Sequence, residues 1–403
     1  MYNIVNLESL CKGIIDCPHS TPKWKNEGIP VIRNYNLKNG KIDCTNLSFV
    51  SEEDYNERVK RAIPEESDII ISREAPMGVV GIVPKEFQCC LGQRLVLLKI
   101  DKSKCIPKYL LYTLMSEYVQ VQIRRINQTG SIVSNLNISS LKELKILLHN
   151  FEEQRKIANI LSAIDDKIQI NNQINQELEA MAKTLYDYWF VQFDFPDQNG
   201  KPYKSSGGKM VYHPELKYEI PEGWGVEKLG DITICHDSKR VPLSSNDREL
   251  VKGEIPYYGA TGIMDYVNDY IFDGDYVLMA EDGSVMTEKG TPILQRISGK
   301  NWVNNHAHVL EPVKNHSCKL LMMLLKDVSV MKIKTGSIQM KINQENMNKI
   351  VVPAIPLELL FEINQKLEVI DKQQLNLIEE NKQLTQLRDW LLPMLMNGQV
   401  KVE

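Results

Sequence analysis

A single offset, 206 residues, governs this chain. Thr129-Gly130-Ser131-Ile132 returns as Thr335-Gly336-Ser337-Ile338, and Gly130 to Gly336 fixes the shift at 206. The same shift carries Asn137 onto Asn343, Ile157 onto Ile363, Leu161 onto Leu367 and Ile164-Asp165 onto Ile370-Asp371. Further on it carries Asn175 onto Asn381, Leu178 onto Leu384 and Leu185 onto Leu391. Solenoids and propellers repeat every 20–50 residues or so, and this period is far longer. What is duplicated is therefore a whole domain with its connector. Two copies of one reader imply two sites read.

The duplication sets the expected domain plan. Residues 1–148 read as a first mixed domain, 149–192 as a first spacer helix, 193–223 as a linker, 224–352 as a second mixed domain and 353–403 as a second spacer helix. In the first domain, Asp68–Ser72 and Leu95–Lys99 are short aliphatic runs bounded by turn residues, as strands are, while Pro107–Arg125 shows helical spacing. The second repeats the order with Asp275–Met279, Ala307–Leu310 and a helix over Cys318–Lys326. Phe193–Gly223 is rich in Pro, Gly, Lys and Ser, which gives the linker. The fold class is α+β.

The spacer segments carry the clearest periodicity. Ile157, Leu161, Ile164, Ile168, Asn171, Asn175, Leu178, Ala182, Leu185 and Trp189 alternate steps of four and three, and so do Ile363, Leu367, Ile370, Gln374, Leu377, Asn381, Leu384, Arg388 and Leu391. Such spacing makes a coiled-coil seam, or the buried stripe of a helix lying on its own domain. A helix of nearly forty residues spans about 57 Å, more than one small domain covers, which favours the two helices packing together. Equivalent units pair most simply about a two-fold axis, so the helices are expected antiparallel, with a head at each end. Asn171, Asn175, Gln374 and Asn381 interrupt the apolar seam; they either fix its register or are simply tolerated.

Charge follows the same plan. The chain has 403 residues and net charge −4, which by itself argues against nucleic acid. Yet residues 1–150 carry 20 Lys and Arg against 16 Asp and Glu, and 151–195 carry 4 against 8. Residues 196–350 carry 19 against 20, and 351–403 carry 5 against 8. Acid concentrates in the helices, leaving the heads near neutral or basic. No apolar run reaches the length of a membrane span, and no signal segment opens the chain. Eight scattered cysteines without a CxxC read as reduced, buried thiols of a cytoplasmic protein.

Catalytic patterns are missing. There is no Asp/Asn-Pro-Pro-aromatic tetrapeptide and no Gly-rich loop between strand and helix, so neither base methylation nor a cofactor site is supported. Pro196-Asp197 with Glu215-Leu216-Lys217 is nuclease-like in spelling but falls in the linker. His306-x-His308 with Cys318 or Cys235-His236 has the residue types of a zinc site, though base reading or packing suits these histidines better, and no metal is expected.

Polar loops in each head hold the inventory that reads DNA. In the first these are His19, Ser20, Thr21, Lys23, Arg33, Asn34, Tyr35, Ser72, Arg73, Glu74, Gln93, Arg94, Thr129 and Ser131. In the second they are Lys239, Arg240, Tyr257, Tyr258, Thr261, Asp282, Ser284, Asn304, Asn305, His306, Thr335 and Ser337. Arg suits guanine, Asn and Gln suit adenine, and small hydroxyls with Lys suit phosphates. The shared Thr-Gly-Ser is explained equally by a phosphate contact or by a turn that needs Gly at positive φ.

These residues resemble a known family along essentially the whole chain: the specificity subunit of type I restriction–modification enzymes. Phe151-Glu152-Glu153-Gln154-Arg155-Lys156-Ile157-Ala158 is similar to that family's entry into its first spacer helix, and Thr184–Asp194 to its exit. Ile220-Pro221-Glu222-Gly223-Trp224 resembles the start of a second target-recognition domain, and both TGSI segments match a domain end. Leu148-His149-Asn150-Phe151 lacks the prolines usual before the helix, whereas the second copy keeps Pro353 and Pro356. The resemblance implies a non-catalytic reader of double-stranded DNA with a bipartite, asymmetric target. It further implies two methyltransferase subunits carrying S-adenosylmethionine chemistry, and two restriction subunits using ATP and Mg2+. The competing readings are a two-headed protein–protein scaffold and a stand-alone DNA-modifying enzyme.

Overall fold

The computed structural model describes residues 2–74, 76–128, 135–336 and 340–400. Thr129, Gly130, Ser131, Ile132, Ser337 and Ile338 lie outside the described residues, as does Ala75. The chain forms two units, one built from residues 1–170 and 380–403, the other from 171–379. Each unit therefore holds one head and a part of each long helix, Phe151–Tyr186 and Leu357–Met396.

In the first unit, a four-stranded antiparallel sheet runs in the order Cys11–Asp16, Leu95–Ile100, Ile69–Ser72, Val80–Ile82. The two central strands are almost wholly aliphatic and buried, as strands covered on both faces must be. A second sheet sets Ile29–Ile32 antiparallel to Ser48–Val50 and parallel to Cys90–Leu91. The first strand, Asn3–Asn6, pairs with Lys145–Leu148, the strand that leads into the long helix. The second unit repeats this. Its main sheet orders Thr233–Cys235, Ala307–Pro312, Tyr276–Ala280, Leu294–Ile297. Lys252–Tyr258 again has an antiparallel neighbour, Ile263–Val267, and a parallel one, Lys300–Val303. Gly225–Lys228 pairs with Val351–Ala354 as the first strand does in its own unit.

The echo of Asn137 in Asn343 has a mechanical cause. Each starts a short helix, its side-chain oxygen accepting the backbone N–H of Ser140 or Asn346 at 2.8 Å, which satisfies an otherwise orphaned donor. The missing prolines before the first long helix are answered in the same way: Asn150 accepts the N–H of Glu153 at 2.9 Å.

Two expectations need correction. The helix expected over Pro107–Arg125 is two helices, Pro107–Met115 and Glu117–Gln128. Ser116, at ψ 148°, breaks the first and offers its carbonyl to the N–H groups of Val119 and Gln120. The segment 193–223 is not a surface linker. It holds the hairpin Met210–His213/Tyr218–Pro221, and Phe193, Phe195 and Ile220 are buried in the second unit's core. Phe195 stacks on Trp224 and Tyr203 at 5.3 and 4.9 Å, which anchors a stretch whose glycines and prolines only shape its turns.

Within the first unit the helix segments run antiparallel. His149 meets the carbonyl of Met396 at 3.0 Å, Asp165 meets Arg388 at 3.0 Å and Lys167 meets Glu380 at 3.3 Å, one index rising as the other falls. Ile157 and Leu161 share the head's core with Leu392, Leu395 and Met396, Leu391 packing at its edge, and Ile164 is buried beside them. Asn381 and Leu384 are half-buried. In the second unit Leu178 and Ala182 share a core with Ile363, Leu367 and Ile370, with Leu185 and Leu377 at its edge. Asn171 is buried. Gln374 donates to the backbone carbonyl of Asn175 at 3.1 Å and accepts from Lys319 of the head at 2.7 Å. Among the described residues no helix is long and apolar enough to cross a membrane.

Candidate nucleic-acid interface

Hydrogen bonds at the ends of the central strands put the two heads in register residue by residue. The N–H of Arg73 donates to the carbonyl of Arg94 (2.8 Å), and that of Glu281 to the carbonyl of His306 (2.9 Å). The carbonyl of Arg73 accepts from Leu136 (3.0 Å), and that of Glu281 from Ile342 (2.8 Å). Arg73 therefore corresponds to Glu281, Glu74 to Asp282 and Arg94 to His306. Counting along the paired edge strands makes Asp16 the counterpart of Asp237, and His19 that of Arg240.

The same frame carries different charges. In the first head Arg73 holds both oxygens of Asp16 at 2.8 Å, and His19 approaches that aspartate at 3.2 Å. In the second head the strand-end residue is acidic. Glu281 pairs with Arg240 at 2.6 Å and Lys341 at 2.9 Å, while Arg240 also reaches Asp237 at 3.2 Å. Burial pushes the Glu281 carboxyl up, but the bonds from Arg240 and Lys341 outweigh it and hold the group below its usual range. One pair is kept in kind: Glu74 binds Arg94 at 3.1 Å, and Asp282 binds His306 at 2.6 Å.

Beside the Glu74–Arg94 pair the first head opens a recess of about 440 Å³, lined by Thr21, Trp24, Arg33, Asn34, Tyr35, Gln93 and Arg94 among others. Six of these were legible as candidates; Trp24 was not, although an aromatic inside a polar loop was the available signal. Gln93 ties the loop down by donating to the carbonyl of His19 at 2.6 Å, with Thr21 Oγ1 at 3.4 Å. Ser20 gives its carbonyl to Arg58, and the N–H of Lys23 bonds Asp54, leaving the Lys23 side chain to solvent. Arg94 adopts φ +68°, which turns its side chain out of the strand path.

In the second head Lys239, Thr261, Ser284, Asn305 and Thr335 are exposed, and Tyr258 is half-buried. The shared turn survives here as Gly336 at φ +79°, the value that favours glycine, with Thr335 donating to the carbonyl of Lys341 from its N–H (2.7 Å) and hydroxyl (3.1 Å). Thr129, Ser131 and Ser337 lie outside the described residues.

Three candidates are corrected because burial withdraws them from any base edge. Ser72 is fully buried, its hydroxyl bridging Pro76 and Val79. Tyr257 is buried and its hydroxyl holds the N–H of Leu243 at 2.9 Å. Asn304 is buried and fixes the turn by accepting from the N–H of His306 at 2.8 Å. The thiols depart from expectation at three places: Cys44 is exposed, and Cys11 and Cys235 are only half-buried.

The zinc-like residues regroup. Cys235, Asp237 and His308 bring donor atoms within 4.8 Å of one another, whereas His306 turns to Asp282. His308 Nδ1 lies 2.5 Å from Asp237 Oδ2 and its Nε2 faces the carbonyl of Ile342 at 2.8 Å. A zinc ion with ligands at about 2.0–2.3 Å does not fit between atoms that close. Burial, with Asp237 beside it, also pushes the Cys235 thiol up to about 12. The trio is a hydrogen-bonded ion network closed by Arg240. Asp197, from the nuclease-like pair, accepts the backbone N–H groups of Asn199 and Lys201 at 2.8 Å and serves only a turn.

Comparison with known proteins agrees with this duplicated frame. The family model for the type I restriction modification DNA specificity domain matches residues 3–180 and 221–386. The chain belongs to this family: it is a sequence-specific DNA-binding specificity subunit of a type I restriction–modification system, with two recognition domains in tandem. It is 27% identical over 375 residues to the type I restriction enzyme MjaIX specificity subunit of Methanocaldococcus jannaschii, covering 88% of this chain and 82% of that one. With the HindI specificity subunit of Haemophilus influenzae it shares 23% over 379 residues, 77% and 81% of the two chains. The fold matches the crystal structure of the S subunit from M. genitalium with TM-score 0.57 at 20% identity, covering 98% of this chain and 96% of that one.

Proposed function

We propose that this chain reads a bipartite, asymmetric DNA target, one short half-site per recognition domain, with the unread gap set by the long helices. The observation that carries this is the change of side chains on a common frame: Arg73 against Glu281, of opposite charge, and Arg94 against His306, of different shape, at positions matched by the same backbone hydrogen bonds. Equal frames place equal backbones on DNA, and the unlike charges at the strand ends give the loops around them different surroundings in which to meet bases.

The chain itself is non-catalytic in this reading and binds no cofactor. Two methyltransferase subunits dock on it with S-adenosylmethionine, two restriction subunits join with ATP and Mg2+, and the assembly works in the cytoplasm. Support for a pair of equivalent partners comes from the helices. Phe151 and Leu387 of the first unit are 42% and 43% exposed, and the 206-residue shift relates them to Leu357 and Met181 of the second, 65% and 59% exposed. Large apolar side chains kept on the surface at repeated positions suit two copies of one protein surface. DNA binding is then strongly salt-dependent and gains from the partners' basic surface.

The test is an exchange. Replacing residues 1–148 by the first domain of another specificity subunit changes one half-site of the methylated target and leaves the other half-site and the gap intact. A change in both half-sites refutes the assignment of one half-site to each head.

A further inference from the structure

Arg33 is held in a manner that sets it apart from the other arginines of the first head's interface. Its guanidinium lies over the ring of Trp24 at 5.1 Å and over that of Tyr35 at 5.0 Å. Among the described residues its guanidinium has no hydrogen-bond or ion-pair partner, whereas Arg73 is locked on Asp16, Arg58 on the carbonyls of Leu91 and Ser20, and Arg94 on Glu74. Two aromatic faces restrain the plane of the guanidinium without using any of its five N–H groups, so its donor edge is pre-organised and vacant.

The neighbouring residue is tied down as well. Asn34 donates its Nδ2 to the carbonyl of Glu74 at 2.5 Å, which fixes the amide's orientation, because an oxygen turned to that carbonyl would meet another acceptor. The amide oxygen, Oδ1, is left buried with no partner, and Asn34 lines the same recess.

An unused planar pair of donors on the wall of a recess is the complement of a guanine seen from the major groove. Guanine offers O6 and N7 as acceptors there. We propose that Arg33 reads a guanine and is specificity-determining for the half-site of the first recognition domain, with Trp24 and Tyr35 as positioning residues for Arg33. The inference rests on the DNA-reading function proposed above.

The test uses the full chain assembled with its methyltransferase subunits and a duplex carrying the target read by methylation sequencing. Each guanine in turn is replaced by 7-deazaguanine, which removes the N7 acceptor and keeps Watson–Crick pairing. The wild-type complex weakens by about 5- to 150-fold at one guanine of one half-site, the range for a bidentate contact. Arg33→Ala loses affinity for the normal duplex to a similar extent and shows no further loss at that guanine. Arg33→Lys keeps only part of the contact, because an ammonium is not planar and the faces of Trp24 and Tyr35 no longer orient its donors. If Arg33→Ala instead weakens all sequences equally and every 7-deaza effect persists, Arg33 contacts phosphate and the proposal is overturned. Retention of full discrimination by Arg33→Lys overturns the positioning role of Trp24 and Tyr35. A wild-type complex with no specific target would sink the DNA-reading function itself, a separate result. Arg33 is solvent-exposed, and an unchanged melting temperature of both variants confirms that folding is not what is being read.

Discussion

Substituting Arg388 disturbs the part of the first unit where the two long helices and the head meet. Asp165 is only 8% exposed at its side chain and is satisfied by Arg388 at 3.0 Å and by the hydroxyl of Tyr112 at 2.7 Å, while Arg388 is 12% exposed. Burial alone draws down the Arg388 pKa, and the bond to Asp165 with its neighbour Asp389 more than restores it. Arg388→Met removes one charge and leaves a buried carboxylate with a single neutral donor. Breaking a buried pair in this way costs about 3–5 kcal/mol. For a unit of this size, each kcal/mol moves the midpoint by about 2–4 °C, so the unit's melting temperature falls by roughly 6–20 °C. Asp165→Leu alone destabilises less, since the guanidinium keeps Asp389 at 2.9 Å. The double variant, with both charges gone, recovers most of the loss, because the desolvation cost disappears along with the attraction. Thermal unfolding by circular dichroism on the four proteins gives the cycle. Strictly additive losses would show that the two side chains do not act as a pair and would refute the reasoning from their shared burial.

Further outcomes follow from other sites. Phe151→Asp should remove one of two methyltransferase subunits from the assembly, and Phe151→Asp with Leu357→Asp should remove both, as read by native mass spectrometry; an intact assembly in both cases denies these surfaces a docking role. Asp237 and Glu281 are each pushed up by burial but held below their usual ranges by His308, Arg240 and Lys341. A carboxyl depressed on folding contributes stability above its unfolded value of about 4 and loses it as pH falls through its lower folded value. The second unit therefore destabilises on acidification below about pH 4, and Glu281→Gln, though less stable at neutral pH, shows a shallower acid loss; an unchanged slope would contradict the network. Burial pushes Cys11, Cys89 and Cys105 up to about 12 and Cys90 to about 11, whereas Cys44 is exposed. Iodoacetamide on the native protein near neutral pH should label Cys44 first, as peptide mass mapping will show.

The parts legible in the sequence were those whose signal is local or periodic. Ile157, Leu161, Ile363 and Leu367 announce themselves by helical spacing, and Asn137 and Asn343 by a cap that any helix start needs. Phe193 and Phe195 were hidden by the glycines and prolines around them, although the aromatic content of that stretch was the better guide to its burial. The pairings of Arg73 with Asp16 and of Arg240 with Glu281 join residues 57 and 41 positions apart, and only the folded sheet brings them together. Candidate loops could be named from composition, yet which side chains remain available depended on burial: Ser72, Tyr257 and Asn304 have the right chemistry and serve the frame instead.

Methylation sequencing of a host carrying this chain with its methyltransferase subunit tests the central claim most directly. The account predicts one motif with two unlike half-sites separated by a fixed unread gap. A single continuous palindrome, or two identical half-sites, would contradict two heads that share a frame and differ at Arg73 and Glu281.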